Sequence, residues 1–243
     1  MIYKAKCGQV SYGETVGILL LDCFTAFIPG DVANASTYNF PVRFKKVKDY
    51  TVKKAIEKDA GIFDNLLEAA SDLERSGVRA ITGNCGYMGI HQKKLADCMN
   101  VPVFLSSLMQ VPFISNMIGD DKKVGIISAD SRGIDSALLE AVGITDNSKL
   151  EIRGLEDRAG FYSAVIEQSG TLDSEKIERE VILTARKMVK EIPSVAALLL
   201  ECSCLPPYSA AVQQSVGLPV FDYITMINYV HSSVVRSGFS GFM

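Results

Sequence analysis

Hydrophobic and polar positions alternate in blocks along the chain: short unbroken apolar runs are separated by longer segments with a helical rhythm. Val16 to Leu21 and Val195 to Leu200 are continuous apolar runs of strand length, which suits central parallel strands buried on both faces. Residues 42–47 alternate apolar and basic side chains and read as a strand nearer an edge. Residues 51–76 carry Ile62, Phe63, Leu66, Leu67, Ala70 and Leu73 on a 3.6-residue period, with Gly77 as the stop. Further strands are predicted at 78–82 and 101–104, with a polar helix near 88–99 between them and an apolar helix near 108–118 capped by Ser106 or Ser107. The scheme then repeats: strand 123–128, helix 132–142, edge strand 149–153, helices near 158–168 and 174–190, and strand 195–200. Pro206 and Pro207 open another helix, and a last one covers 224–236.

The repetition extends to particular residues. One cysteine strand runs Val78 to Cys85 and reaches Val101-Pro-Val-Phe104; the other runs Val195 to Cys202 and reaches Leu218-Pro-Val-Phe221. Sixteen positions lead from each cysteine to the start of its following tetrapeptide. Each copy is preceded by a matching strand, Val16-Gly-Ile and Val124-Gly-Ile. Landmarks recurring in one order predict two similar halves. The alternation of strand and helix predicts an α/β fold of two pseudo-symmetric domains, each a mostly parallel sheet flanked by helices. The expected division is 1–107, with the C-terminal segment 223–243 packing back on it, and 108–222. Ligands of such sheets bind beyond the carboxyl ends of the strands, so the site is expected in the cleft between the halves, with Cys85 and Cys202 meeting across it.

Composition narrows the function classes. With 48% hydrophobic and 22% charged residues among 243, the chain has material for a sizeable core. A net charge of −3 offers no general attraction to phosphate backbones, so no nucleic-acid partner is expected. The apolar runs fall far short of the roughly 20 residues that span a bilayer, and the first residues lack the apolar segment of a secretory leader. The expected setting is cytoplasmic, without membrane association, and the six cysteines are then expected as thiols. No Cys-x-x-Cys pair occurs and the two histidines, His91 and His231, lie far apart, so no metal site is expected. His91 reads as a solvated helix residue and His231 as one at the core edge. A homodimer is the default assembly, because two-fold pairs dominate soluble oligomers.

Two thiols facing one cleft permit a definite chemistry. Inverting a carbon that bears an acidic hydrogen requires a base on one side and an acid on the other, since one fixed base returns the proton to the face it left. A thiol titrates near 8.5 and a helix N-terminus lowers that value, and each cysteine precedes a predicted helix. Free amides there, with Gly86 and Ser203, would hold the carboxylate beside the reacting carbon and stabilise the charge that develops on proton removal. Asp22 ends a central strand where a substrate amine could bind, Ser128 could reach the cleft, and Asn84 could hydrogen-bond substrate. Cys204 and Cys23 lie beside the site in sequence, where packing is the first expectation; Cys204 is carried with the substrate-binding set. Asp130 is expected to cap the helix that follows it.

At these residues the sequence resembles the aspartate/glutamate racemase superfamily, which includes glutamate, aspartate and hydantoin racemases. The segment Leu198-Leu-Leu-Glu-Cys-Ser-Cys-Leu-Pro206, followed by Gly217-Leu-Pro-Val-Phe-Asp222, is similar to the family's second-cysteine segment, and Ile81-Thr-Gly-Asn-Cys85-Gly occupies the place of the first. Phe27 to Asn34 with Phe40-Pro-Val is similar to a less characterised branch. The resemblance implies a cofactor-independent racemase or epimerase acting on a small amino-acid-like or carboxylate substrate, with Cys85 and Cys202 as alternate acid and base. It also sets Asp22, Asn84, Ser128 and Ser203 near substrate-binding positions. The chain departs from that pattern in having Asn before Cys85 and Gly after it, and in having Glu201 where many members have glycine; a carboxylate facing the cleft there would oppose thiolate formation. The rival readings are a superfamily lyase or isomerase, of decarboxylase or cis-trans isomerase type, a non-catalytic two-lobed anion-binding protein, and a thiol redox protein using Cys202 and Cys204.

Overall fold

The computed structural model describes all 243 residues. It contains two four-stranded parallel sheets. The first comprises β1 (Val16–Leu20), β2 (Val42–Lys46), β3 (Ala80–Gly83) and β4 (Val103–Phe104), in the order β2-β1-β3-β4. The second comprises β5 (Lys123–Ser128), β6 (Leu150–Gly154), β7 (Val195–Leu200) and β8 (Val220–Phe221), in the order β6-β5-β7-β8. Strand for strand the two orders are the same, and helices flank both sheets. The inner strands β1, β3, β5 and β7 are almost wholly buried and the edge strand β2 is half-exposed, as continuous and alternating apolar patterns respectively require.

The repeated Val-Gly-Ile has a packing cause. A β-carbon on Gly17 would lie 3.0 Å from Leu73, and one on Gly125 would lie 2.4 Å from the Met188 sulfur. Those partners belong to the long helices Phe63–Arg75 and Ser174–Glu191, so in each half a bare strand position lets the covering helix rest on the sheet. The largest hydrophobic cluster joins the halves, with Leu19 and Ile81 from the first sheet and Ile126 and Leu199 from the second in one set of 31 buried residues. The helix Tyr223–Val234, started by an Asp222 capping box, crosses from β8 to the outer face of the first sheet. There Tyr223, Met226 and Ile227 pack with Val16, Ile18 and Phe104. No helix is long and apolar enough to cross a membrane.

Three local expectations need correction. After Cys85 the chain enters a 3-10 turn, Gly86–His91, before the α-helix Gln92–Cys98, and after Cys202 it makes a tight turn, with the helical segment starting only at Pro206. The second cysteine therefore does not sit at a helix N-terminus. The segment expected as a plain helix near 158–168 is an α-turn, Ala159–Phe161, that widens into a π-turn, Tyr162–Ile166. His91, expected in solvent, is 5% exposed, because the 3-10 turn rotates it inward between Tyr50 and Phe63.

Candidate active site

The two cysteines end up equivalent in topology because they follow equivalent strands: Cys85 lies just past β3 and Cys202 just past β7. Backbone pairing aims both turns at one place. The Asn84 amide donates to the Leu19 carbonyl (2.9 Å) and Glu201 donates to Ile127 (2.8 Å), so each turn is bonded to the neighbouring inner strand of its own sheet. The turns are then tied across the interface. Ser203 Oγ donates to the Asn84 carbonyl at 2.5 Å, and Ser107 Oγ donates to the Glu201 carbonyl at 2.9 Å. Asn84 uses its side chain structurally as well, since its Oδ1 accepts from the Leu21 amide at 2.9 Å.

Between the turns lies a small cavity of about 40 Å³, partly open to solvent and lined mainly by apolar groups. Cys85 and Cys202 both line it, as do Asn84, Gly86, Ser203 and Cys204. Asp22 and Ser128 do not reach it. Asp22 turns outward, 42% exposed, to pair with Lys46 at 3.2 Å, and its neighbours Leu21 and Cys23 face the cavity instead. Ser128 is fully buried with an unpartnered Oγ, and the next residue, Ala129, faces the cavity, as the alternation of an extended strand demands. Asp130 caps the following turn through the Arg132 amide.

The long loop after β1 roofs the site and carries residues whose part the sequence did not reveal. Cys23, Thr25 and Phe27 line the cavity, and Val32 reaches the second half, where its amide donates to the Ser203 carbonyl at 3.3 Å. Asp31, 2% exposed, lies against Cys204 and accepts from the Ala33 amide at 2.7 Å. The π-turn supplies Val165 and Ile166 to the opposite wall. The sequence signals that bear on these residues are the length of the 23–41 loop, the place of Cys23 at the end of β1 and the resemblance over Phe27 to Asn34.

Burial dominates the electrostatics. The Cys85 thiol is pushed well above the usual thiol range by desolvation first, then by Glu201 and Cys202, against a smaller pull from the Tyr87 amide. A thiol lowered by a helix start is therefore not found at Cys85. Although deep in the molecule, Cys85 keeps part of its surface open to the cavity. Burial raises the Glu201 carboxyl to about 8 and Asp31 to about 7. Burial, followed by Asp31, raises Cys23 to about 11. The Cys204 thiol is held protonated by its hydrogen bond to Cys202, then by burial and by Asp31. The backbone amides of Cys202, Ser203 and Cys204 donate to no protein atom, leaving a cluster of N–H groups in one turn of the kind that cradles anions. No lysine or arginine lines the cavity, and no group of three or more His, Cys, Asp or Glu is arranged to hold a metal ion.

No protein-family model matches the chain. A dimethylsulfoniopropionate lyase of Durusdinium sp. clade D is 30% identical over 222 residues, covering 88% of this chain and 73% of that protein. Dimethylsulfoniopropionate lyase 5 of Emiliania huxleyi (strain CCMP1516) is 32% identical over 178 residues, which are 68% of this chain and 35% of that protein, so this chain spans only about a third of that longer relative. Among solved structures, allantoin racemase from Pseudomonas fluorescens superposes with a TM-score of 0.64 at 14% identity, covering 91% of each chain. Arylmalonate decarboxylase superposes at 0.56 and 13% identity, covering 93% of this chain and 94% of the other. The fold is thus that of the aspartate/glutamate/hydantoin racemase superfamily, whose members include isomerases and lyases. Within that fold, the chain belongs to the dimethylsulfoniopropionate lyase family of enzymes.

Proposed function

We propose that this protein is a lyase that eliminates a neutral sulfide from a β-sulfonio carboxylate, with dimethylsulfoniopropionate as the first substrate to test. The observation that carries this reading is the inequality of the two cysteines. Cys202 has the Cys204 thiol beside it, whereas Cys85 is desolvated and faces Glu201. A two-base racemase needs two groups that exchange roles; a site with one favoured acceptor suits chemistry that needs one base. In the proposed step Cys202, as thiolate, takes the proton from the carbon beside the carboxylate. The C–H electron pair becomes the new C=C bond and the C–S bond breaks, releasing dimethyl sulfide and acrylate and leaving the proton on Cys202. The leaving group departs neutral, so no acid is required to protonate it. The free amides of the Cys202 to Cys204 turn are suited to hold the carboxylate and the charge that grows on it during proton removal. Phe27 and Tyr87 supply aromatic faces for the sulfonium.

Release of dimethyl sulfide into the headspace and of acrylate by proton NMR tests the reading. Wild type should produce both in equal amounts, and Cys202→Ala should lose at least about a hundredfold in rate, the scale of a positioned base. Turnover unchanged in Cys202→Ala would remove Cys202 from the role, and absence of both products in wild type would remove the substrate. The racemase or epimerase reading is kept as a second one because both sulfurs line one cavity. It is supported if amino acids, hydantoins or hydroxy acids exchange their α-proton in deuterated water with inversion, and if either Cys85→Ser or Cys202→Ser abolishes inversion.

A further inference from the structure

One polar group in the cavity wall has no partner. Glu201 is 1% exposed, lines the cavity, and its Oε1 makes no hydrogen bond. Its backbone is fixed at both ends, by Ile127 at the amide and Ser107 at the carbonyl, so the residue has little room to move away as a unit. The carboxyl occupies space left by a missing side chain, since a β-carbon on Gly86 would fall 1.5 Å from Oε1. Asp31, the other buried carboxyl near the site, already has partners in the Ala33 amide and Cys204.

We propose that Glu201 is a substrate-selecting residue whose carboxylate is the counter-charge for a cationic group, sulfonium or quaternary ammonium, on the carbon next to the reacting one. This rests on the lyase reading above and adds to it the basis of charge recognition. A permanent cation buried in an apolar cavity needs an opposite charge within reach. No other carboxylate lines this one, and no basic side chain does. The ionisable groups that face Glu201 are the thiols of Cys85 and Cys202 and the phenols of Tyr87 and Tyr223. None of these carries positive charge, so none satisfies the carboxylate before a ligand arrives. Because burial holds the Glu201 proton up to about 8, seating a cation at pH 7 should expel about one proton. Affinity for a cation should then rise by roughly tenfold per pH unit well below 8 and level off as pH passes about 8.

Two stable ligands of the same shape separate charge from size. 3-(Trimethylammonio)propionate carries the cation, and 4,4-dimethylpentanoate is its carbon isostere, neutral at that position. By isothermal titration at pH 7.5, wild type should bind the cationic ligand at least about tenfold more tightly, a difference of ~1.4 kcal/mol. In Glu201→Gln the two affinities should fall within about twofold of each other. Repeating the wild-type titration at pH 7 in buffers of different ionisation enthalpy should show about one proton released with the cationic ligand and none with the neutral one. This arm needs no variant, so it decides the matter even if Glu201→Gln does not fold. Equal affinities in wild type, full selectivity in Glu201→Gln, no proton release, or no binding of either ligand would each overturn the proposal. Dimethyl sulfide release is measured separately: cation selectivity without turnover would refute the lyase reading and leave Glu201 as a cation selector, whereas turnover without selectivity would do the reverse.

Discussion

Ser203 Oγ donates a 2.5 Å hydrogen bond to the backbone carbonyl of Asn84. These residues are the immediate neighbours of Cys202 and Cys85, so one bond fastens the two cysteine turns, which belong to different sheets and lie more than a hundred residues apart in the chain.

Removing that bond should loosen the site before it loosens the fold. Ser203→Ala leaves the buried Asn84 carbonyl without its donor, at a cost of about 1–3 kcal/mol in unfolding free energy. Urea denaturation should show the loss, and Ser203→Thr, which keeps a hydroxyl, should recover part of it. Stability unchanged in Ser203→Ala would mean that the turns are held by packing alone.

Gly86 and Glu201 should behave as a coupled pair. In Gly86→Ala the new methyl and the Glu201 carboxyl would compete for one volume, and the carboxyl, as the end of a flexible side chain, would be driven into the cavity. Ligand affinity should therefore fall more than stability does. Combining Gly86→Ala with Glu201→Gly should restore the thermal midpoint to a value above that of Gly86→Ala alone, with a coupling of roughly 0.5–3 kcal/mol in a double-mutant cycle. Strict additivity would contradict the overlap.

Stability should fall as pH rises from mildly acidic to mildly basic. Glu201 and Asp31 have folded-state values of about 8 and about 7, above their ordinary carboxyl values, so the folded protein binds more protons than the unfolded chain across that interval. Their contribution is complete below the unfolded carboxyl value and is lost as pH passes the folded ones. Thermal midpoints measured from pH 5 to 8.5 should decline, and Glu201→Gln should flatten the upper part of the decline. A midpoint that rises over this range in wild type would contradict the burial of these carboxyls as acids.

The C-terminal helix should be essential to the first sheet. Tyr223 is fully buried, and its hydroxyl donates to the Leu105 carbonyl at 2.7 Å, between β4 and the turn that follows. Tyr223→Ala should cost about 3–5 kcal/mol through the lost ring, and Tyr223→Phe, which removes only the hydroxyl, should cost about 1 kcal/mol. Comparable losses in the two variants would place the importance in the hydrogen bond instead of the ring.

The sequence by itself determined the architecture, because parallel strands buried on both faces have a continuous apolar pattern and because the chain states the pattern twice. Val16-Gly-Ile, Val124-Gly-Ile and the two Pro-Val-Phe strands located the inner and outer strands of both sheets, and the repeated cysteines marked the ends of β3 and β7. Their placement beside one cavity followed from topology alone. What lines the rest of that cavity was decided in three dimensions. Asp22 and Ser128 stand at strand ends in the sequence, but the alternation of side chains and an available lysine turn them away, and Leu21, Cys23 and Ala129 face inward in their place. Phe27 comes from a loop with no periodic signal, and the Glu201 carboxyl fits only because Gly86, 115 positions earlier, has no side chain. The inequality of the two thiols has the same origin. The repeat makes Cys85 and Cys202 alike in position, whereas Glu201 beside the one and Cys204 beside the other make them unlike in surroundings, since neighbours in space are not specified by local sequence.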